Sequence, residues 1–193
     1  MRGARVGPRR PDVAGAVAIG QRVFLRPPTS GDADELTRLY RVRTRFHRGL
    51  ASPPRTRRQF AAYLRRCRRE SFEGFLVCRR QDGAIVGRIN VSEIVRGNFR
   101  SAYVGYEVGA AFAGQGYMTE ALPLLLRHAF GRLGLHRLEA NIQPGNAASI
   151  ALVRRAGFTR EGFSRRYLKV GGRWRDHERW AIVREDWRGK RKR

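Results

Sequence analysis

The segment Val104–Glu120, VGYEVGAAFAGQGYMTE, holds the residue types from which an anion site is built. An apolar strand enters a loop with Gly114 and Gly116, and a long apolar helix with few charges in its first turn follows. Backbone N–H groups at a helix N-terminus, approached closely where glycine lacks a Cβ, attract phosphate. A pyrophosphate is the occupant such a loop suits. No Lys-Ser/Thr follows the glycines and the spacing is not GxGxxG, so neither a Walker loop nor a dinucleotide fingerprint is present. From these residues alone, a phosphate loop and a plain strand–helix turn stand level.

Other side chains could act on protons. Strand alternation sets Tyr106 and Val108 on one side and Glu107 on the other, which makes Glu107 the first candidate for a general base, directly or through a water. The competing reading is a strand carboxylate paired with one of many arginines. Glu139, on the following strand, is the second candidate, with a simple ion pair favoured for it. Asn146 reads as a helix cap, with Ser149 in the first turn after it. Asp176 and His177, in WRDH, resemble catalytic residues, but no Ser or Cys nucleophile in a matching motif accompanies them, so they read as structural or substrate-lining. His47, His128 and His136 show no metal-ligand spacing. Cys67 and Cys78 are the only cysteines, which excludes a disulfide scaffold and a four-cysteine metal site. Cations around Cys67, in RRCRR, could lower its pKa, although a lone surface thiol is more often inert.

The elements that position these residues follow from periodicity and turn chemistry. Residues 1–20 read as a disordered basic arm and residues 188–193 as a basic tail. Between them, 21–187 form one domain. Arg22–Arg26 is a strand; Ser30 caps a helix with Leu36, Leu39 and Tyr40 inward; a second helix spans Arg57–Glu70. Phe75–Arg79 and Ala84–Val95 form a hairpin, and Tyr103–Val108 is a strand. A helix spans Gly116–Leu133 with Pro123 inside it, which should cost a hydrogen bond. His136–Ile142 is a strand, Ala147–Ala156 a helix ended by Gly157, and Phe158–Val170 and Arg173–Val183 a closing hairpin. Seven strands and four helices in this order imply an α+β, or mixed α/β, fold around a single sheet.

Charge frames the class of ligand. Among 193 residues, 41 Lys plus Arg oppose 16 Asp plus Glu, a formal net charge of +25. All but Lys169, Lys190 and Lys192 of the basic residues are arginine, a skew that GC-rich codons also produce. Arg38–Arg69 holds 12 arginines and no acid, whereas Ser101–Val153 is nearly balanced. The basic run reads either as a solvated face or as contact with RNA or CoA phosphates. No apolar run approaches 18 residues, and Val13–Ile19 is too short for a secretory signal. A cytoplasmic domain with no membrane contact, monomeric or homodimeric, is expected.

AFAGQGYMTEAL (Ala111–Leu122), followed by LEANIQPGNAASIALVRRAGF (Leu138–Phe158), resembles the GNAT family of acetyl-CoA-dependent N-acetyltransferases. LRPPTSGDADEL (Leu25–Leu36) resembles the family's opening strand and helix. The closing EGFSRRYLKVGGRWRDHERWAIVREDW (Glu161–Trp187) is similar to the ribosomal-protein-alanine N-acetyltransferase branch, the RimJ/RimL-like group. The resemblance implies a mostly antiparallel sheet and acetyl-CoA as co-substrate. It implies that Gly114 and Gly116, with the N–H groups of Ala113, Gln115 and Tyr117, hold the pyrophosphate, and that Val108 and Gly109 line the cofactor strand. It further implies that Asn146 and Ser149 face the pantetheine and the thioester. Ala111 stands where the family often has Arg or Gln, so that side chain gives the phosphates no help.

Acetyl transfer to an amine needs a neutral nucleophile, a polarised carbonyl and a proton for the leaving thiolate. An α-amine, with pKa about 7.7–8.0, is partly neutral near pH 7.5, whereas a lysine side chain demands a stronger base. The Val108 N–H is the expected oxyanion donor, Glu107 the base and Ser149 the source of the thiolate's proton. The implied acceptor is the N-terminus of a ribosomal protein, ending in alanine or serine, chosen by loops around Arg48–Thr56 and Arg96–Ala102. The alternatives are a small-molecule amine, although arginines should repel cationic drugs, and a non-catalytic ribosome- or RNA-binding module.

Overall fold

The computed structural model describes residues 13, 15–42, 44–47 and 49–187. In chain order its elements are β1 (Ala18–Ile19), β2 (Val23–Arg26), α1 (Ala33–Arg41), α2 (Arg57–Arg66), β3 (Phe72–Arg79), β4 (Ile85–Val95), β5 (Ser101–Val108), α3 (Tyr117–Gly131), β6 (Arg137–Ile142), α4 (Ala147–Arg155), β7 (Thr159–Val170) and β8 (Arg173–Val183). One sheet runs β1-β2-β3-β4-β5-β6-β8-β7. Every neighbouring pair is antiparallel except β5 with β6.

The sheet separates two apolar layers. Leu36 and Tyr40 of α1 and Phe60 and Tyr63 of α2 pack on Phe24, Leu76 and Ile85 on one face. On the other, Leu122, Leu125 and Leu126 of α3 and Leu152 and Val153 of α4 cover Val77, Val86, Ile89 and Leu138. Alternation along each strand feeds the two layers in turn.

Local chemistry moves several expected boundaries. The strand count is eight rather than seven, because Ala18–Ile19 pairs with β2 and the Val17 N–H donates to the Leu25 carbonyl at 2.8 Å. The arm expected through Gly20 therefore has structure at its end; residues 1–12 and the tail 188–193 lie outside the described residues. Thr29 rather than Ser30 opens the first helical segment: the Asp32 carboxylate accepts from the Thr29 N–H (2.6 Å) and hydroxyl (2.9 Å) while Arg26 donates to both its oxygens. Thr56 and Gln59 cap α2 reciprocally, and α2 ends at Arg66, a turn short of Glu70.

The feature that positions the site is a divergence of two strands. β5 and β6 pair only where Ser101–Tyr103 meets Arg137–Glu139. Past that point β5 runs on to Val108 and β6 to Ile142 unpaired with each other. A wedge-shaped opening results, with the N-terminal ends of α3 and α4 at its mouth.

Candidate active site

Two connected cavities of about 450 Å³ each follow the opening, and Tyr106, Glu107, Leu50, Ala51, Asn146 and Ser149 line both. One reaches Gly114, Gly116, Tyr117 and Met118 on the α3 side. The other reaches Asn141, Gln143, Lys169 and His177 on the β6–β8 side. Sharing these residues, the two cavities make one candidate channel with a glycine-loop half and a β6–β8 half, the latter the candidate acceptor half.

Gly114 and Gly116 have φ of +74° and +79°. Side chains rarely adopt that backbone, and a Cβ on Gly114 would meet nothing within 4 Å. Conformation rather than crowding thus requires glycine, and the loop stays open to a ligand beside the first turn of α3. Such a loop fits a pyrophosphate. Ala111 contributes no cation, but Arg22 does so from 93 residues away: its Nη1 donates to the Gln115 carbonyl at 3.0 Å and its guanidinium lies 4.7 Å from the Tyr117 ring centre. The neighbouring guanidinium groups of Arg79 and then Arg22 draw the Tyr117 hydroxyl's pKa down. Gln115 turns its side-chain amide back to the Ala111 carbonyl. The Ala113 N–H makes only a long bond, 3.5 Å, to Ala110. The Gly109 N–H donates to the Val86 carbonyl and its own carbonyl accepts from the Phe112 N–H, both at 2.8 Å, which commits the N–H to the sheet. It is glycine because a Cβ would collide with Leu39.

That Gly109–Val86 bond fixes the phase of the β4–β5 ladder. Glu107 and Gly109 turn their backbone groups toward β4, and Tyr106 and Val108 turn theirs into the opening. The Val108 carbonyl there accepts from His47 Nε2 at 2.9 Å. His47 is buried, which lowers its pKa against the opposing pull of this bond, so Nε2 carries the proton of a neutral ring.

Tyr106 and Ser149 meet across the opening, Oη to Oγ, at 2.6 Å. Burial pushes the tyrosine up to about 12, only partly offset by Ser149, so its hydroxyl stays protonated near neutrality. Asn146 caps α4 through its Oδ1, which accepts from the Ser149 N–H at 3.2 Å. Glu107 lies on the opposite side of β5, where Arg88 Nε and Nη2 donate to its two oxygens at 2.7 and 2.8 Å. Burial works against the Arg88 charge, but Glu107 more than offsets it and holds the guanidinium cationic. The Tyr40 hydroxyl donates to the Glu107 carbonyl at 3.1 Å.

The remaining candidates separate. Glu139 sits where β5 and β6 are still paired and accepts from Arg137 Nε at 2.9 Å, outside the channel lining. His177 is buried and lines the acceptor half, its Nδ1 2.9 Å from the Arg175 carbonyl. Asp176 accepts from the Arg166 N–H at a break in the β7–β8 register, a structural duty. Cys67 is shifted opposite to the effect of its cationic neighbours: burial raises its pKa. Of the two expected specificity loops, Leu50, Ala51 and Ser52 line the channel, whereas Arg96–Ala102 lies at the paired end of β5, away from it. Arg22, Arg88 and His47 escaped sequence reading because each acts across a long gap in the chain; only the strand alternation beside Glu107 hinted at Tyr106. Among the described residues no group of His, Cys, Asp and Glu could hold a metal ion, and no helix is long and apolar enough to cross a membrane.

A glycine loop at a helix N-terminus, opposite two splayed parallel strands within an otherwise antiparallel sheet, defines an N-acyltransferase fold. The family pattern for an acetyltransferase (GNAT) domain matches residues 22–159, and the chain belongs to that family. It is 30% identical over 175 residues to the probable N-acetyltransferase YjcK of Bacillus subtilis, covering 86% of this chain and 97% of the relative. It is 41% identical over 103 residues, 53% of each chain, to the [ribosomal protein uS5]-alanine N-acetyltransferase of Escherichia coli. Mycobacterium smegmatis RimJ, solved in complex with CoA-disulfide, superposes with a TM-score of 0.78 at 30% identity, covering 84% of this chain and 82% of that one.

Proposed function

We propose that this acetyltransferase uses acetyl-CoA to acetylate the N-terminal α-amine of a protein, in the manner of the ribosomal-protein N-acetyltransferases to which it is similar. The observation that carries the reading is the channel itself: a glycine loop for the pyrophosphate at one side, an acceptor half at the other, and the unpaired end of β5 between them. Gly114, Gly116 and the first N–H groups of α3 would hold the pyrophosphate, with Arg22 beside them. Acetyl-CoA supplies the activated acetyl group. The Val108 N–H, facing the opening, would stabilise the developing oxyanion. Ser149, oriented by the protonated Tyr106, would return a proton to the leaving sulfur. An α-amine needs only modest help to lose its proton, which suits a site whose one lining carboxylate, Glu107, is already engaged by Arg88.

A ribosomal target is supported by the relatives and by the outward arginines of α1 and α2, among them Arg38, Arg58 and Arg65, which are exposed and would face an anionic surface. Incubating the protein with acetyl-CoA and peptides of defined N-termini tests the reading. The expected result is thiol release with one acetyl group added at the α-amine; no release above background with any amine would overturn it.

A further inference from the structure

The acceptor half of the channel is lined by more cations than carboxylates. Its lining includes one carboxylate, Glu107, and both oxygens of that group are occupied by Arg88. Two cations remain, Arg66 from the end of α2 and Lys169 from β7. They come from elements far apart in the chain and from different parts of the wall. Arg66 stacks on the Phe72 ring, its guanidinium 4.4 Å from the ring centre, which anchors the charge without neutralising it. Among the described residues neither cation has a carboxylate partner. Elsewhere in this chain acids are commonly matched by arginines, as in Arg26–Asp32 and Arg79–Asp82. Leu50 and Leu168, both partly exposed, give the same half an apolar lining.

We infer that the acceptor is an acidic peptide: an N-terminus whose α-amine is neutral at the reaction centre and whose next few residues carry carboxylates that meet Arg66 and Lys169, with apolar contacts to Leu50 and Leu168. This rests on the N-terminal acetyltransferase reading and narrows its substrate class. The charge that a carboxylate brings is complementary to the wall, while a polyamine or a lysine-rich N-terminus meets like charge there. Complementarity of this type acts on capture of the acceptor, so it should appear in KM more than in kcat.

The test uses the full chain, acetyl-CoA and three peptides of equal length that share an N-terminal alanine and differ only at the following positions, which carry glutamate, serine or lysine. The expected order of KM is glutamate below serine below lysine, with about three- to tenfold between steps. That spread should shrink as salt rises from about 50 mM to about 300 mM. In the Arg66→Glu/Lys169→Glu variant the order should invert, and retained CoA binding would show that the variant is folded. A KM order unchanged by the charge reversal, or a preference of the wild type for the lysine peptide, overturns the inference while leaving N-terminal acetylation standing. Absence of turnover with all three peptides, together with turnover of a polyamine, overturns both.

Discussion

Arg88 and Glu107 face each other across β4 and β5 as a bidentate ion pair whose side chains are 11% and 12% exposed. The pair lies directly beneath the channel, and Glu107 cannot be changed without stranding a buried guanidinium.

Glu107→Ala should lower the unfolding free energy by about 3–5 kcal/mol, as for other buried pairs broken on one side, and Glu107→Gln by less because its amide oxygen still accepts. Urea denaturation measures both. Wild-type stability in Glu107→Ala would remove the pair from the fold's supports. If Glu107 also takes the amine's proton, Glu107→Gln should reduce kcat about a hundredfold with CoA affinity retained.

The glycine loop gives a second expectation. Gly114→Ala keeps open space around its new methyl group, so its cost is the left-handed backbone alone, about 1–2 kcal/mol. A loop that relaxes away from φ +74° turns its N–H groups from the phosphate. Calorimetric titration should show CoA affinity reduced about tenfold, with the fold retained; unchanged affinity would separate the loop from phosphate binding.

Arg22 supplies the loop's side-chain cation in place of Ala111. Arg22→Gln should weaken CoA binding about three- to tenfold at low salt and flatten its salt dependence, because an exposed charge is screened. An identical salt slope in the two proteins would assign Arg22 to loop support only.

Tyr106 and Ser149 act as one unit if the serine hydroxyl returns the thiolate's proton. Ser149→Ala should lower kcat about a hundredfold and Tyr106→Phe about tenfold. The double variant should be no slower than Ser149→Ala, since neighbours that share a network are not additive. Additive losses would show that the two hydroxyls work separately.

His47 makes stability depend on pH. Its folded pKa lies below the ordinary histidine value, chiefly through burial. As pH falls below about 6.5 the unfolded chain takes up a proton that the folded chain refuses, so stability is full above that pH and declines beneath it until the folded ring also protonates. Thermal unfolding of the wild type should therefore lose more between about pH 7.5 and 5.5 than that of His47→Gln. Parallel curves would indicate that His47 does not titrate in that window.

What the sequence made legible was local. Gly114 and Gly116 reveal themselves because a positive φ selects glycine, and Asn146 because a cap selects a short polar side chain at a helix start. The element order follows from periodicity, which each strand and helix carries within itself. The partners that make the site were hidden for the opposite reason. Arg88 meets Glu107 only through the β4–β5 register, His47 reaches Val108 across 61 residues, and Arg22 reaches Gln115 across 93. No spacing rule connects such positions, and in a chain so rich in arginine no single one stands out. Gly109 adds a packing reason no motif announces: a Cβ there would collide with Leu39, 70 residues earlier in the chain.

The brief pairing of β5 with β6 has a mechanical side. Within the sheet only three rungs join β1–β5 to β6–β8, and beyond them the seam is spanned by the packing of α3 and α4 and not by a backbone ladder. A ligand reaching from the α3 loop to α4 would bridge the seam like a rivet. Substrate binding would then complete the cohesion of the sheet as well as start the reaction, and protease resistance of the β6–β8 strands should rise with CoA concentration.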